Sequence, residues 1–248
     1  MHKQIEKINK PIVFQTWKSK TFHRKIEKMR NSMIRDNQYL SFLLFDNDEM
    51  DNSVEDMFSR EICKTYFKLN HYAARSDFWR YLILNKFGGI YLDIDSLIVN
   101  NISQLVNLKK SILTLEPTKK DFIQWVLVFN KNDDVLQRSI ELIVNNVNQN
   151  KFKNDVMKLT GPTLFTNAIK EVLGLEKTEI INASSKKVLN KLNSSGYLYI
   201  KNQQHDISFL FKHKYNHLLK GNKKNIFTGK SEINYSHWAQ FQKDNELY

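Results

Sequence analysis

Cysteine is nearly missing from this chain: Cys63 is the single one among 248 residues. One thiol cannot close an intrachain disulfide, and a cysteine-built zinc site is excluded with it. A reducing, cytoplasmic setting is therefore expected. Long apolar runs are missing too. No stretch approaches the roughly 20 apolar residues that span a bilayer, and the opening MHKQIEKINKPIVFQTW lacks the apolar core of a secretory signal. The chain reads as a soluble protein, or as one from which a preceding membrane anchor has been removed. Arginine is scarce, at seven positions, so the formal charge of +12 comes from lysines scattered along the chain. No dense module of basic and aromatic residues appears, which argues against specific nucleic-acid binding. A lysine-rich surface still suits nucleotide phosphates, acidic glycans or peripheral contact with an anionic membrane.

What the sequence does contain is concentrated between Ala74 and Ser96, AARSDFWRYLILNKFGGIYLDIDS. Helical spacing sets Asp77, Arg80, Tyr81 and Leu84 on one stripe, so an acid and a base project together from an otherwise apolar helix. Gly88-Gly89 ends that helix and lets the chain reverse. Ile90-Tyr91-Leu92 reads as a short buried strand, and Asp93 and Asp95 follow at its end, on one side if the extended geometry persists. Two neighbouring carboxylates repel unless a cation sits between or beside them. Oxygen ligands of this kind suit a hard divalent ion, Mn²⁺ or Mg²⁺, with positions left open for water and for phosphates.

The remaining periodicities predict one α/β domain over 1–248. A strand at Ile12–Thr16, a helix at Phe22–Asn37 and a strand at Tyr39–Phe45 make a βαβ opening. Ligands of open α/β sheets bind beyond the carboxyl ends of strands, which puts Thr16-Trp17 and Phe45-Asp46 at a cleft. Helices are expected near Ser53–Phe67, His71–Phe87, Val135–Val147 and Thr163–Val172, with Thr160-Gly161-Pro162 breaking the chain before the last. Strands are expected at Ser111–Glu116, Trp125–Phe129, Ile180–Ile181, Leu198–Ile200 and Ile233–Tyr235. Gly221–Lys230 reads as a mobile loop, and residues 233–248 as a lid.

Four segments resemble the glycosyltransferase family that contains fungal initiating mannosyltransferases and bacterial capsule enzymes, called family 32, and more distantly the glucosylating toxins of clostridia. They are Pro11–Trp17, Ala74–Ser96, Thr160-Gly161-Pro162 and Ser236-His237-Trp238. The resemblance implies a GT-A type glycosyltransferase fold, a single Rossmann-like mixed sheet flanked by helices. It also implies a retaining, metal-dependent transfer of a hexose or N-acetylhexosamine from a nucleoside-diphosphate sugar, UDP in preference to GDP, to a glycan hydroxyl. By matching position Asp95 binds the metal, Asp93 touches ribose or sugar and the metal through water, and Asp77 and Arg80 hold sugar hydroxyls. Trp17 stacks on the base, and His237 and Trp238 close near metal and phosphate. Phe14 departs from the pattern, since many relatives carry His there.

Two other readings remain open on sequence. LDIDSL resembles the nucleophile motif of haloacid-dehalogenase-type phosphatases, with Asp93 attacking phosphorus, although that motif normally opens its domain. A catalytically inactive nucleotide-sugar or carbohydrate-binding relative could also keep these residues. A calcium-binding helix-loop-helix is excluded, because Leu97 and Ile98 fall where an oxygen ligand and a glycine are needed.

Overall fold

Ile12–Thr16 forms β1, and all five of its residues are buried. This strand is the second in a six-stranded mixed sheet of order β2-β1-β3-β6-β5-β7, in a computed structural model that describes residues 2–22, 24–103, 110–115, 121–176, 178, 186–201, 211–213, 242–243 and 245–248. Its members besides β1 are β2 (Ser41–Phe45), β3 (Gly89–Leu92), β5 (Ile112–Leu115), β6 (Val126–Phe129) and β7 (Leu198–Lys201). β1 runs parallel to β2 and β3, β6 is antiparallel to β3 and β5, and β7 is parallel to β5. A separate antiparallel pair joins β4 (Ser96–Ile98) to β8 (Phe211–His213). The mixed sheet flanked by helices agrees with the expected fold class.

Period-two alternation along the central strands divides the core between the two faces of the sheet. Phe14 and Tyr91 belong to one apolar cluster with Trp79, Tyr81 and Phe165. Val13, Ile90 and Leu92 belong to the other, with Met33 and Ile98. The first face is covered by a helix at Tyr72–Phe87, in which every residue from Phe78 to Leu84 is buried. Trp79 lies 4.8 Å from Phe45 and 6.2 Å from Phe14 between ring centroids, and its indole nitrogen donates to Ser53 at 2.8 Å. Phe14 is thus a fully buried core residue.

The Tyr72–Phe87 helix starts under a cap from His71, whose side chain accepts from Ala73 N at 3.0 Å, and stops at Gly88, where φ is 68°. Gly89 follows at φ 111°, and a Cβ there would stand 2.7 Å from the Ile12 carbonyl oxygen, so the tight entry into β3 requires glycine. The predicted helix at Ser53–Phe67 is two helices, Asn47–Met57 and Arg60–Lys68, because Ser59 turns extended and caps the second. Asp46 caps the first in a reciprocal capping box with Glu49. The helices at Arg24–Asp36, Asp134–Asn148 and Pro162–Val172 fall where expected, whereas Lys186–Ser194 and the β4–β8 pair were not foreseen. Ile180–Ile181, Gly221–Lys230 and Ile233–Tyr235 lie outside the described residues. Among those described, no helix is long and apolar enough to cross a membrane.

Candidate functional site

Arg80 is the centre of the site. It arrives on the third turn of the Tyr72–Phe87 helix, and its side chain is buried. One terminal nitrogen meets the Asp77 carboxylate at 2.9 Å and the other stands 3.7 Å from Asp93. The latter nitrogen also donates to the Gln124 carbonyl at 3.0 Å, and the guanidinium lies over the Tyr91 ring at 4.4 Å. A bare exposed pair at i,i+3 would contribute a few tenths of a kcal/mol. Here the side chains of Arg80 and Asp77 are 9% and 14% exposed, so the pair belongs to the interior and carries its desolvation cost.

Electrostatics follow from that burial. Burial pushes the Asp77 carboxyl up from 3.8 to about 6; Arg80 and the Thr160 hydroxyl pull it down, and Asp93 pushes it up further. Thr160 Oγ1 donates to Asp77 at 3.1 Å. Burial alone would depress Arg80, but Tyr91, Asp77 and Asp93 outweigh it and leave the guanidinium firmly charged. The Tyr91 hydroxyl is held above its ordinary range by burial, with Arg80 opposing. Beneath this layer, Thr16 Oγ1 shares hydrogen bonds with Ser76 at 2.8 Å and Tyr91 at 3.2 Å.

Asp93 and Asp95 do not continue the strand as expected. Residues 93–96 form a turn closed by Ser96 N donating to Asp93 O at 2.9 Å, while Asp93 N donates to Trp125 O at 2.9 Å. The two carboxylates are nevertheless both partly exposed, with Ile94 buried between them. Asp77 and Asp93 set two carboxylates against the Arg80 guanidinium, a formal excess of one negative charge, and Asp95 follows Asp93 by two residues in the same turn. That excess and the all-oxygen donor set fit a hard divalent cation. Among the described residues no group of three or more His, Cys, Asp or Glu side chains gathers for a metal; Asp93 and Asp95 are the residues that would hold such an ion.

Trp17 sits just past β1, half-buried, its backbone N donating to Phe45 O at 3.0 Å. It stands at the same carboxyl edge as the Asp93 turn, in the loop and not in the core. Thr16, by contrast, turns its hydroxyl inward to Ser76 and Tyr91. Ser236, His237 and Trp238 lie outside the described residues. Farther along, Gln242 Oε1 accepts from Val156 N at 3.1 Å, and Leu247 exchanges backbone bonds with Asn70 at 2.6 Å and Lys153 at 2.7 Å. The far end of the segment expected as a lid is therefore docked on the body of the protein.

Several participants escaped the sequence reading. Thr160 contacts Asp77 across 83 residues, and Gln124 donates to Tyr81 Oη and to the Thr160 carbonyl at 3.3 Å. Only the Thr-Gly-Pro breaker pointed toward the first. Nothing local pointed toward the second.

Residues 23–113 match the glycosyltransferase sugar-binding region containing a DXD motif, and the chain is similar to the family-32 type. It is 30% identical over 120 residues to a toxin of Photorhabdus asymbiotica, a match covering 46% of this chain and 4% of the toxin. It is 22% identical over 216 residues to the initiation-specific alpha-1,6-mannosyltransferase of Candida albicans, covering 70% of this chain and 56% of that protein. The chain thus spans less than two thirds of either relative. Its fold matches that of the PaToxG glycosyltransferase, with a TM-score of 0.52 at 20% identity over 76% of this chain and 79% of that one.

Proposed function

We propose that this chain is a retaining glycosyltransferase that moves a hexose or N-acetylhexosamine from a nucleoside-diphosphate sugar, UDP in preference to GDP, to a hydroxyl of a glycan acceptor. The observation that carries the reading is the excess of carboxylates at the Asp93–Asp95 turn over a guanidinium buried between Asp77 and Asp93. A bound Mn²⁺ or Mg²⁺ supplies neutralisation of the charge that builds on the departing pyrophosphate.

Each residue has a task in this account. Asp95 would hold the ion, and Asp93, which stands 3.7 Å from Arg80, would contact ribose or sugar and the ion through water. Asp77 is fixed by Arg80 and Thr160, so it orients sugar hydroxyls and does not serve as a mobile proton acceptor. Trp17 covers the base at the edge of β1, in a position where an aromatic ring can stack. With Asp77 engaged, the leaving phosphate itself takes the acceptor proton as attack occurs on the face from which it departs. The phosphatase reading gains nothing from the fold, since the Asp93 turn follows the third strand in the chain and not the first.

A panel of nucleotide sugars, each incubated with the protein and Mn²⁺, tests the reading through release of nucleoside diphosphate. One donor should stand out, with release accelerated by a glycan acceptor. Hydrolysis of simple aryl phosphates without response to any nucleotide sugar would overturn it in favour of the phosphatase.

A further inference from the structure

The other edge of the sheet carries a second concave feature. A cleft of about 400 Å³ opens where β1 and β3 begin and β6 ends, lined by Ile12, Gly89 and Phe129 among others. Its size falls in the range of small-molecule sites, about 300–1,000 Å³. β1 ends at Thr16, beside Trp17 and the Asp93 turn, so one strand length, roughly 15 Å, separates this cleft from the donor site.

Four lysines line it: Lys10, Lys86, Lys110 and Lys131. Among the described residues Glu6 is the sole carboxylate of the lining, and it faces His2 at 3.1 Å. Lys110 and Lys131 are exposed and join no ion pair among the described residues. Two of the four have neighbours that hold them. Lys10 Nζ donates to Gln38 O at 2.7 Å, and Lys86 Nζ lies 5.6 Å from the Phe58 ring centre and 6.0 Å from that of Phe87. Ile5, Ile12 and Phe129 give the floor an apolar character.

Like charges gathered around an apolar hollow repel, and a multivalent anion relieves them. Ammonium groups act as point charges toward phosphate oxygens, which carry more charge than a carboxylate. We propose that this cleft, on the edge opposite the donor site, binds a phosphate-bearing ligand with an apolar portion, its phosphate held by Lys110 and Lys131 together with Lys10 and Lys86. The ligand is either a lipid with a phosphomonoester headgroup or a soluble phosphate ester.

The test compares wild type with Lys110→Ala/Lys131→Ala, in EDTA, against vesicles of phosphatidylcholine with and without phosphatidic acid, and against glycerol phosphate in solution. Lys64→Ala/Lys68→Ala, on the Arg60–Lys68 helix and outside the cleft, controls for net charge. Circular dichroism and the urea midpoint check that each variant folds. Preferential binding of phosphatidic acid vesicles, weakened roughly thirtyfold by the cleft variant at about fivefold per lysine and unaltered by the control, supports the site with a lipid source. Saturable binding of glycerol phosphate lost in the cleft variant, without vesicle preference, supports it with a soluble source. Binding by neither, equal binding by wild type and cleft variant, or equal weakening by the control pair overturns the proposal.

Discussion

Replacing Asp77 by asparagine should make the protein more stable while disabling it. Asp77 is 14% exposed, and burial raises its carboxyl from 3.8 to about 6 despite Arg80 and Thr160. That displacement corresponds to about 3 kcal/mol of preference for the neutral form in the folded state. A raised folded value means that the folded protein binds the extra proton, so wild type loses this stability as pH rises from about 4 through about 6. Asparagine has nearly the shape of the neutral acid and does not titrate. Arg80 retains Asp93 at 3.7 Å and the Gln124 carbonyl at 3.0 Å. Metal-free urea unfolding followed by tryptophan fluorescence should therefore find Asp77→Asn more stable than wild type by up to about 3 kcal/mol at pH 7, and by less than about 1 kcal/mol at pH 4. Sugar transfer should fall at least about tenfold, the equivalent of one lost charge-assisted hydrogen bond of about 1.4 kcal/mol. A variant less stable than wild type at pH 7, or a difference that does not change with pH, refutes the reasoning and makes Asp77 a structural partner of Arg80.

Three further perturbations probe the neighbouring parts. Arg80→Met leaves Asp77 and Asp93 without their shared cation and should cost about 3 kcal/mol or more of unfolding free energy at pH 7, measured in urea. Trp17→Ala should raise the dissociation constant for the nucleoside diphosphate with Mn²⁺ several-fold, in line with about 1 kcal/mol of stacking, and titration calorimetry showing unchanged affinity would return this ring to a packing role. Gly89→Ala should cost about 2 kcal/mol or more, because the residue holds φ 111° and its new Cβ meets Ile12 O at 2.7 Å; a urea midpoint equal to wild type would show that the β1–β3 junction yields.

What was legible in the sequence was what local chemistry encodes. The Tyr72–Phe87 helix, its glycine stop and the strand after it are set by residues within a few positions of one another, and Asp77 and Arg80 meet because they share a helix face. The Asp93–Asp95 geometry was misread as extended, since a turn closed by Ser96 N and Asp93 O follows from where β4 must go, and β4 pairs with Phe211–His213 far along the chain. Thr160 was legible as a helix breaker and as part of a family-like segment, but not as a partner of Asp77, which is 83 residues away. The break at Ser59 was hidden by an apolar pattern that runs across it, though its capping side chain was there to be read. The basic cleft could not be seen at all, because Lys10, Lys86, Lys110 and Lys131 come together only through the pairing of β1, β3 and β6.

The central claim is that the Asp93–Asp95 turn holds a divalent ion on which nucleotide-sugar cleavage depends. Release of nucleoside diphosphate from the preferred donor, measured for wild type and for folded Asp95→Asn in Mn²⁺ and in EDTA, addresses it directly. Wild type should be active in Mn²⁺ and nearly silent in EDTA, and Asp95→Asn should lose most turnover even with Mn²⁺, since a neutral amide is a poor substitute for a carboxylate on a hard ion. Asp95→Asn turning over at the wild-type rate in EDTA contradicts the account.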